Sequence, residues 1–214
     1  IRRRDWSSDV CSSDLLQRIV EIGKNQTGMC IVRCRQVADN TGQKPLRHFG
    51  ARLTEREKST MQNFILHTPT KILFGKDQIA EVAGQIPADA RILITYGGGS
   101  VKKNGVLDQV YSALAGRDVR EFSGIEPNPT YETLMKAVEV VKAENIDFLL
   151  AVGGGSVVDG TKFIAAAARY TANGDAWHIL QTVGSHIADA VPMGCVLTLP
   201  ATGSESNSGA VITR

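Results

Sequence analysis

The tetrapeptide Gly-Gly-Gly-Ser occurs twice, as Gly97-Gly98-Gly99-Ser100 and Gly153-Gly154-Gly155-Ser156. Each copy stands directly after an apolar run. Glycine admits positive φ and lets a ligand come close to the backbone. Where a helix starts at such a word, its first N–H groups have no intrahelical partner. Together with the helix dipole they make an anion site. A charge-assisted hydrogen bond to such a donor contributes about 1.5–3 kcal/mol. Two copies therefore read as two places that hold phosphate-sized groups.

Two better-known phosphate signatures are excluded. A P-loop needs lysine directly after its last glycine. Here GSVVDG at 155–160 continues with Thr161 and only then Lys162, which makes a nucleotide triphosphatase a poor reading. The dinucleotide pattern GxGxxG fails because Val158 stands where its last glycine should be.

The two copies have different residues on their C-terminal side. After the first come Ser100, Lys102 and Lys103, with no acid nearby. NAD-selective sites place a carboxylate on the ribose 2′-hydroxyl, whereas a 2′-phosphate calls for hydroxyl, N–H and cationic groups. The first word thus reads as a 2′-phosphate site and favours NADP(H), with Lys103 equally well explained as a solvated charge. After the second word comes Asp159, in the first helical turn. An acid there competes with a phosphate for the dipole, so Asp159 is expected to face elsewhere. It could bond the sugar or nicotinamide side, or cap backbone N–H groups.

Both words must sit at the ends of strands. ARILITY (90–96) and FLLAV (148–152) read as buried strands. VREF (119–122), GCVLTLP (194–200) and AVITR (210–214) are further strand candidates, and NFILHTPTKILFG (63–75) holds two more joined by a turn. Helices are expected at 77–86 with Asp77 as N-cap, at 104–114, at 130–144 and at 157–170. The alternation of strand and helix implies an α/β fold: a parallel sheet flanked by helices, a Rossmann-like dinucleotide-binding domain.

The first sixty residues look foreign to this pattern. The segment DWSSDVCSSDL (5–15) back-translates to a string resembling a common sequencing-library adapter, so residues 1–15 read as an artefact. Residues 16–60 read as a non-native or disordered leader with no clear route to the later core. Met61 is the expected initiator, and residues 61–214 form the dinucleotide-binding domain. Cys30, Cys34 and His48 could be offered as metal ligands, but their spacing lacks the tight pairing of zinc sites. Residues 1–60 hold 12 of the 24 Lys and Arg and 7 of the 22 acids, leaving 61–214 at net −3. That argues against a nucleic-acid surface. No apolar run reaches the roughly 18–20 residues of a membrane span. The four scattered cysteines suggest reduced thiols and a cytoplasmic setting.

The stretches NFILHTPTKILFGK, ILITYGGGSVKKNGVLDQV, GIEPNPTYETLM, FLLAVGGGSVVDGTKFIAAAA and PMGCVLTLPATGSESNSGAVI carry a resemblance. Residues 61–214 resemble the N-terminal half of iron-activated (group III) alcohol dehydrogenases, in particular butanol-dehydrogenase-like, NADPH-dependent aldehyde reductases. The resemblance implies that Gly97–Ser100 binds the adenosine 2′-phosphate end. It implies that Gly153–Ser156 with Asp159 holds the pyrophosphate, and that Asn128 lies beside the adenosine ribose. Thr198, Thr202, Ser204 and Asn207 would line the diphosphate and nicotinamide ribose. It further implies an aldehyde or alcohol substrate and a homodimer. The family's divalent metal, iron or zinc, is held by one Asp and three His of a helical C-terminal domain, which is absent here. No histidine in this chain matches a ligand motif, and His178 reads as a packing or hydrogen-bonding residue. No catalytic or metal residue is named, and the chain alone is expected to be inactive. The alternatives are a dehydroquinate-synthase-like, NAD-using lyase and a non-catalytic nucleotide-binding module.

Overall fold

Every residue of β4 (Ile92–Tyr96) and β6 (Phe148–Gly153) is buried, which requires strands covered on both faces. The computed structural model describes residues 69–171 and 174–214, together with the backbone of 18–21 and 29–33. β2 (Met29–Arg33), β3 (Lys71–Gly75), β5 (Val119–Phe122) and β7 (Met193–Leu197) join β4 and β6 in a parallel sheet, in the order β3-β2-β7-β6-β4-β5. β1 (Arg18–Glu21) and β8 (Gly209–Ile212) form a separate antiparallel pair.

Side chains alternate between two cores. Ile92, Ile94 and Tyr96 of β4 and Phe148, Leu150 and Val152 of β6 face a 3-10 helix (Gln78–Gln85), α1 (Ser100–Lys103) and α2 (Val106–Ala113). Leu93, Leu149 and Ala151 face α3 (Tyr131–Ala143) and α4 (Gly155–Arg169). α4 is buried along most of its length. A Cβ on its Gly160 would lie 2.8 Å from Leu134 Cδ2, so this glycine lets α3 approach closely. A short α5 (His178–Gln181) packs Ile179 and Leu180 into the same core.

The parallel sheet flanked by helices is the architecture that the alternating pattern implies. Four local expectations differ. The helix expected over 104–114 starts only at Val106, behind a separate short α1, because Gly105 takes φ 72° and Asn104 Oδ1 accepts the Val106 N–H at 3.1 Å. Asp77 does not cap its helix through its side chain; it sits in the left-handed region at φ 62°. That helix is of the 3-10 type, whose three-residue turn stacks Ile79 over Val82 on the buried side. The last strand, β8, pairs outside the parallel sheet.

The local sequence of residues 16–60 shows no route to the core, yet β2 lies between β3 and β7 and β1 pairs with β8. Long-range pairing of five residues leaves little trace in local sequence. Residues 1–15, Cys34, His48, Met61 and the first strand candidate of 63–75 lie outside the described residues. Among the described residues no helix is long and apolar enough to cross a membrane.

Candidate dinucleotide site

β4 and β6 are parallel neighbours, paired from Ile92↔Phe148 to Tyr96↔Val152. The two glycine words therefore leave the sheet side by side, beyond its carboxyl edge, where open α/β sheets bind ligands. The glycines divide into two kinds. A Cβ on Gly97 would meet the Ile125 carbonyl oxygen at 2.9 Å, and one on Gly153 would meet Val157 Cγ2 at 2.7 Å. Val157 also reaches within 3.7 Å of a Cβ at Gly97, so it fills the notch between the words. Gly97 and Gly153 serve packing. Gly98 and Gly154 have nothing within 4 Å of such a Cβ, which leaves open ground for a ligand. Gly99 turns the chain into α1 at φ 102°.

The helices behind the words are unequal. α4 spans 15 residues, and Gly154 caps it without a side-chain bond. Its first N–H donors into the helix are Val157 and Val158, both to the Gly154 carbonyl. The N–H groups of Gly155 and Ser156 precede them and complete an anion site backed by a long dipole. α1 has four residues and a weak dipole. An anion at the first word would have backbone N–H groups, the Ser100 hydroxyl and Lys102 for partners instead. The Lys102 ammonium lies 5.0 Å from the centroid of the Tyr96 ring. Its pKa is raised, chiefly by its bond with Tyr96 and further by the Glu121 charge.

Asp159 turns away from the second word. One carboxylate oxygen accepts the Val211 N–H at 3.1 Å, and the other accepts the Ser204 hydroxyl. Its role in this structure is to tie β8 and the loop after β7 to α4. Lys162, three residues on and 6% exposed, donates to Ser204 Oγ at 2.9 Å, Asn207 Oδ1 at 3.2 Å and the Gly209 carbonyl at 2.6 Å. Burial pushes its ammonium down to about 8, against the opposing pull of Asp159 at 3.9 Å. Asn207 adds bonds to the Gly203 carbonyl and the Gly209 N–H. Ser204 and Asn207 are thus brought together with Asp159 around Lys162, a residue whose place in the sequence speaks only against a P-loop. The available signal was its i,i+3 spacing from Asp159.

Thr202 approaches the start of α4, its Oγ1 3.5 Å from a Cβ built on Gly155. The Thr198 N–H donates to the Gly153 carbonyl at 2.9 Å. Asn128 is exposed at φ 57°, in a loop held by the Thr130 and Thr133 hydroxyls donating to Glu126 Oε1 at 2.8 and 2.9 Å. That loop lies beyond β5, and its Pro129 carbonyl accepts the Thr213 N–H at 2.9 Å, just past β8. The Ile125 N–H bonds the Tyr96 carbonyl at 3.2 Å, which brings the loop to the first word. His178 bonds the Tyr170 hydroxyl at 2.8 Å and stacks on His186, a packing role. Among the described residues no group of three His, Cys, Asp or Glu could hold a metal ion.

The model of the iron-containing alcohol dehydrogenases matches residues 69–214. The chain belongs to this family. It is 73% identical over 154 residues to the NADPH-dependent aldehyde reductase YqhD of Escherichia coli (strain K12), covering 72% of this chain and 40% of that protein. It is 52% identical over 157 residues to a probable NADH-dependent butanol dehydrogenase of Bacillus subtilis (strain 168), with the same two shares. The crystal structure of E. coli K-12 YqhD superposes with a TM-score of 0.72 at 71% identity, over 73% of this chain and 40% of that one. The chain thus spans about two fifths of the length of these relatives. The family and fold expected from the glycine-word motifs are those found.

Proposed function

We propose that the whole protein moves a hydride between NADP(H) and an aldehyde or primary alcohol, and that this chain supplies the half that binds the cofactor. One observation carries the reading. Both glycine words stand at adjacent carboxyl ends of β4 and β6, with the uncapped N-terminus of α4 behind the second. The diphosphate fits over Gly154, on the Gly155 and Ser156 N–H groups. The adenosine 2′-phosphate fits over Gly98, beside Ser100 and Lys102, with Asn128 at the rim. Thr198 and Thr202 lead toward the nicotinamide end. Lys162 and Asp159 hold the 204–211 segment that closes this side. The bound cofactor supplies the hydride chemistry, and the chain binds and orients it.

Among the described residues no group of His, Cys, Asp or Glu fits the metal that the family's name implies. NADPH is favoured over NADH on three grounds. Gly98 offers no carboxylate, Lys102 is a held cation, and the relative at 73% identity is described as NADPH-dependent.

Fluorescence titration of the 214-residue chain with NADPH and NADH tests the reading. NADPH should bind about 10–100-fold tighter, the value of one charge-assisted contact. Equal binding would overturn the 2′-phosphate assignment, and binding of neither would overturn the dinucleotide site. The intact protein should oxidise NADPH in the presence of a short aldehyde, while this chain should not. Steady turnover by the chain would overturn the division of labour.

A further inference from the structure

A carboxylate does stand where a dinucleotide fold would read the ribose. In such folds an acid about 20 residues beyond the glycine turn bonds the 2′-hydroxyl. Glu121 is the twenty-second residue after Gly99, one residue before the end of β5, the next strand after the first word. It pairs with Ile94, so it shares a sheet face with Ile94 and Tyr96. A carboxylate free to reach the ribose from there would favour NADH and repel a 2′-phosphate.

Its carboxylate is not free to do so. The Tyr96 hydroxyl donates to Glu121 Oε2 at 2.9 Å, and the Tyr111 hydroxyl of α2 donates to the same oxygen at 2.8 Å. These two bonds hold the carboxyl below its usual range. The Tyr96 ring meanwhile carries the Lys102 ammonium. Tyr96 is 1% exposed, so close packing holds its ring in place. One buried ring therefore ties back a negative group and steadies a positive one beside the same glycine word.

We propose that Tyr96 and Tyr111 set the cofactor preference, by restraining the Glu121 carboxylate from the ribose and keeping Lys102 at the first glycine word. The proposal rests on reading that word as the 2′-phosphate site. Tyr96 and Tyr111 are positioning residues, acting through the Glu121 carboxylate and Lys102 that they hold.

The test is the ratio of NADH to NADPH dissociation constants, measured on the 214-residue chain by cofactor fluorescence. Tyr96→Phe/Tyr111→Phe keeps both rings and removes both donors. The ratio should fall about tenfold, the worth of one such contact, with NADH binding no weaker than in the wild type. Adding Glu121→Gln to that pair should restore most of the ratio. Should the buried substitution prevent folding, Tyr111→Phe alone, on a ring 38% exposed, should lower the ratio about threefold. A wild type that discriminates, with variants that leave its ratio unmoved or weaken both cofactors equally, would overturn this proposal and leave the 2′-phosphate site standing. A wild type that does not discriminate would overturn the site itself, and the proposal with it.

Discussion

Thr95 and Thr161 meet hydroxyl to hydroxyl at 2.6 Å in the fully buried seam between β4 and α4. Thr161 donates its proton to the Val157 carbonyl at 2.7 Å, so Thr95 is the donor between the two threonines. The pair joins the strand that ends in the first glycine word to the helix that begins in the second. Thr95→Val removes a donor and strands nothing; it should cost about 1 kcal/mol. Thr161→Val leaves the Thr95 hydroxyl buried without its acceptor and should cost about 1–3 kcal/mol. The double variant should cost less than the two together. Urea unfolding of the four chains checks this, and strict additivity would contradict the coupling.

Lys162 should make stability depend on alkaline pH. Its folded pKa of about 8 lies below the ordinary lysine value of 10.5. Between these values the unfolded chain binds the extra proton, so stability rises with pH across this window. Below about pH 8 the cost of burying the charge is present in full; it is relieved on the way to pH 10.5, by roughly 3 kcal/mol in all. Other lysines and tyrosines titrate there too, so the readout is the difference between wild type and Lys162→Met. That difference should move in favour of the wild type as pH rises. A constant difference from pH 7 to 10 would show that Lys162 is not depressed.

Gly98→Asp should weaken or reverse the NADPH preference. A Cβ at Gly98 meets nothing within 4 Å, so the substitution fits, unlike one at Gly97, where the Ile125 carbonyl stands at 2.9 Å. The new carboxylate would repel a 2′-phosphate and accept from the NADH ribose. The ratio of cofactor affinities should drop about 10–100-fold. An unmoved ratio with a folded variant would place the 2′-phosphate elsewhere.

Val183 lies in the left-handed region at φ 50° and is 55% exposed. A β-branched side chain there is strained. Asparagine tolerates that region, so Val183→Asn should stabilise by about 1 kcal/mol while giving up little buried surface. The melting temperature should rise by a few degrees. A fall would mean that Val183 makes packing contacts worth more than its strain.

The two mostly apolar runs and the glycine words after them contain the fold class, because a strand buried on both faces needs apolar residues at successive positions rather than at alternate ones. The same words, with Lys102 behind the first and a long helix behind the second, raise the expectation of an anion site from sequence alone. Which glycines pack and which face open space is not legible in the sequence. Val157 and the Ile125 carbonyl decide that, and the latter comes from the loop after the neighbouring strand. Lys162 was invisible as a site residue for the same reason. Its partners Ser204, Asn207 and Gly209 lie 42, 45 and 47 residues away in the chain. Glu121 is not legible as a neighbour either, because it is remote from Ile94 in sequence and beside it only across the parallel pair of β4 and β5. Local pattern dictates which segments become strands and helices, since burial of each face is written into its own residues. The pairing of strands and the meeting of charged side chains depend on which segments become neighbours, and only the folded chain decides that.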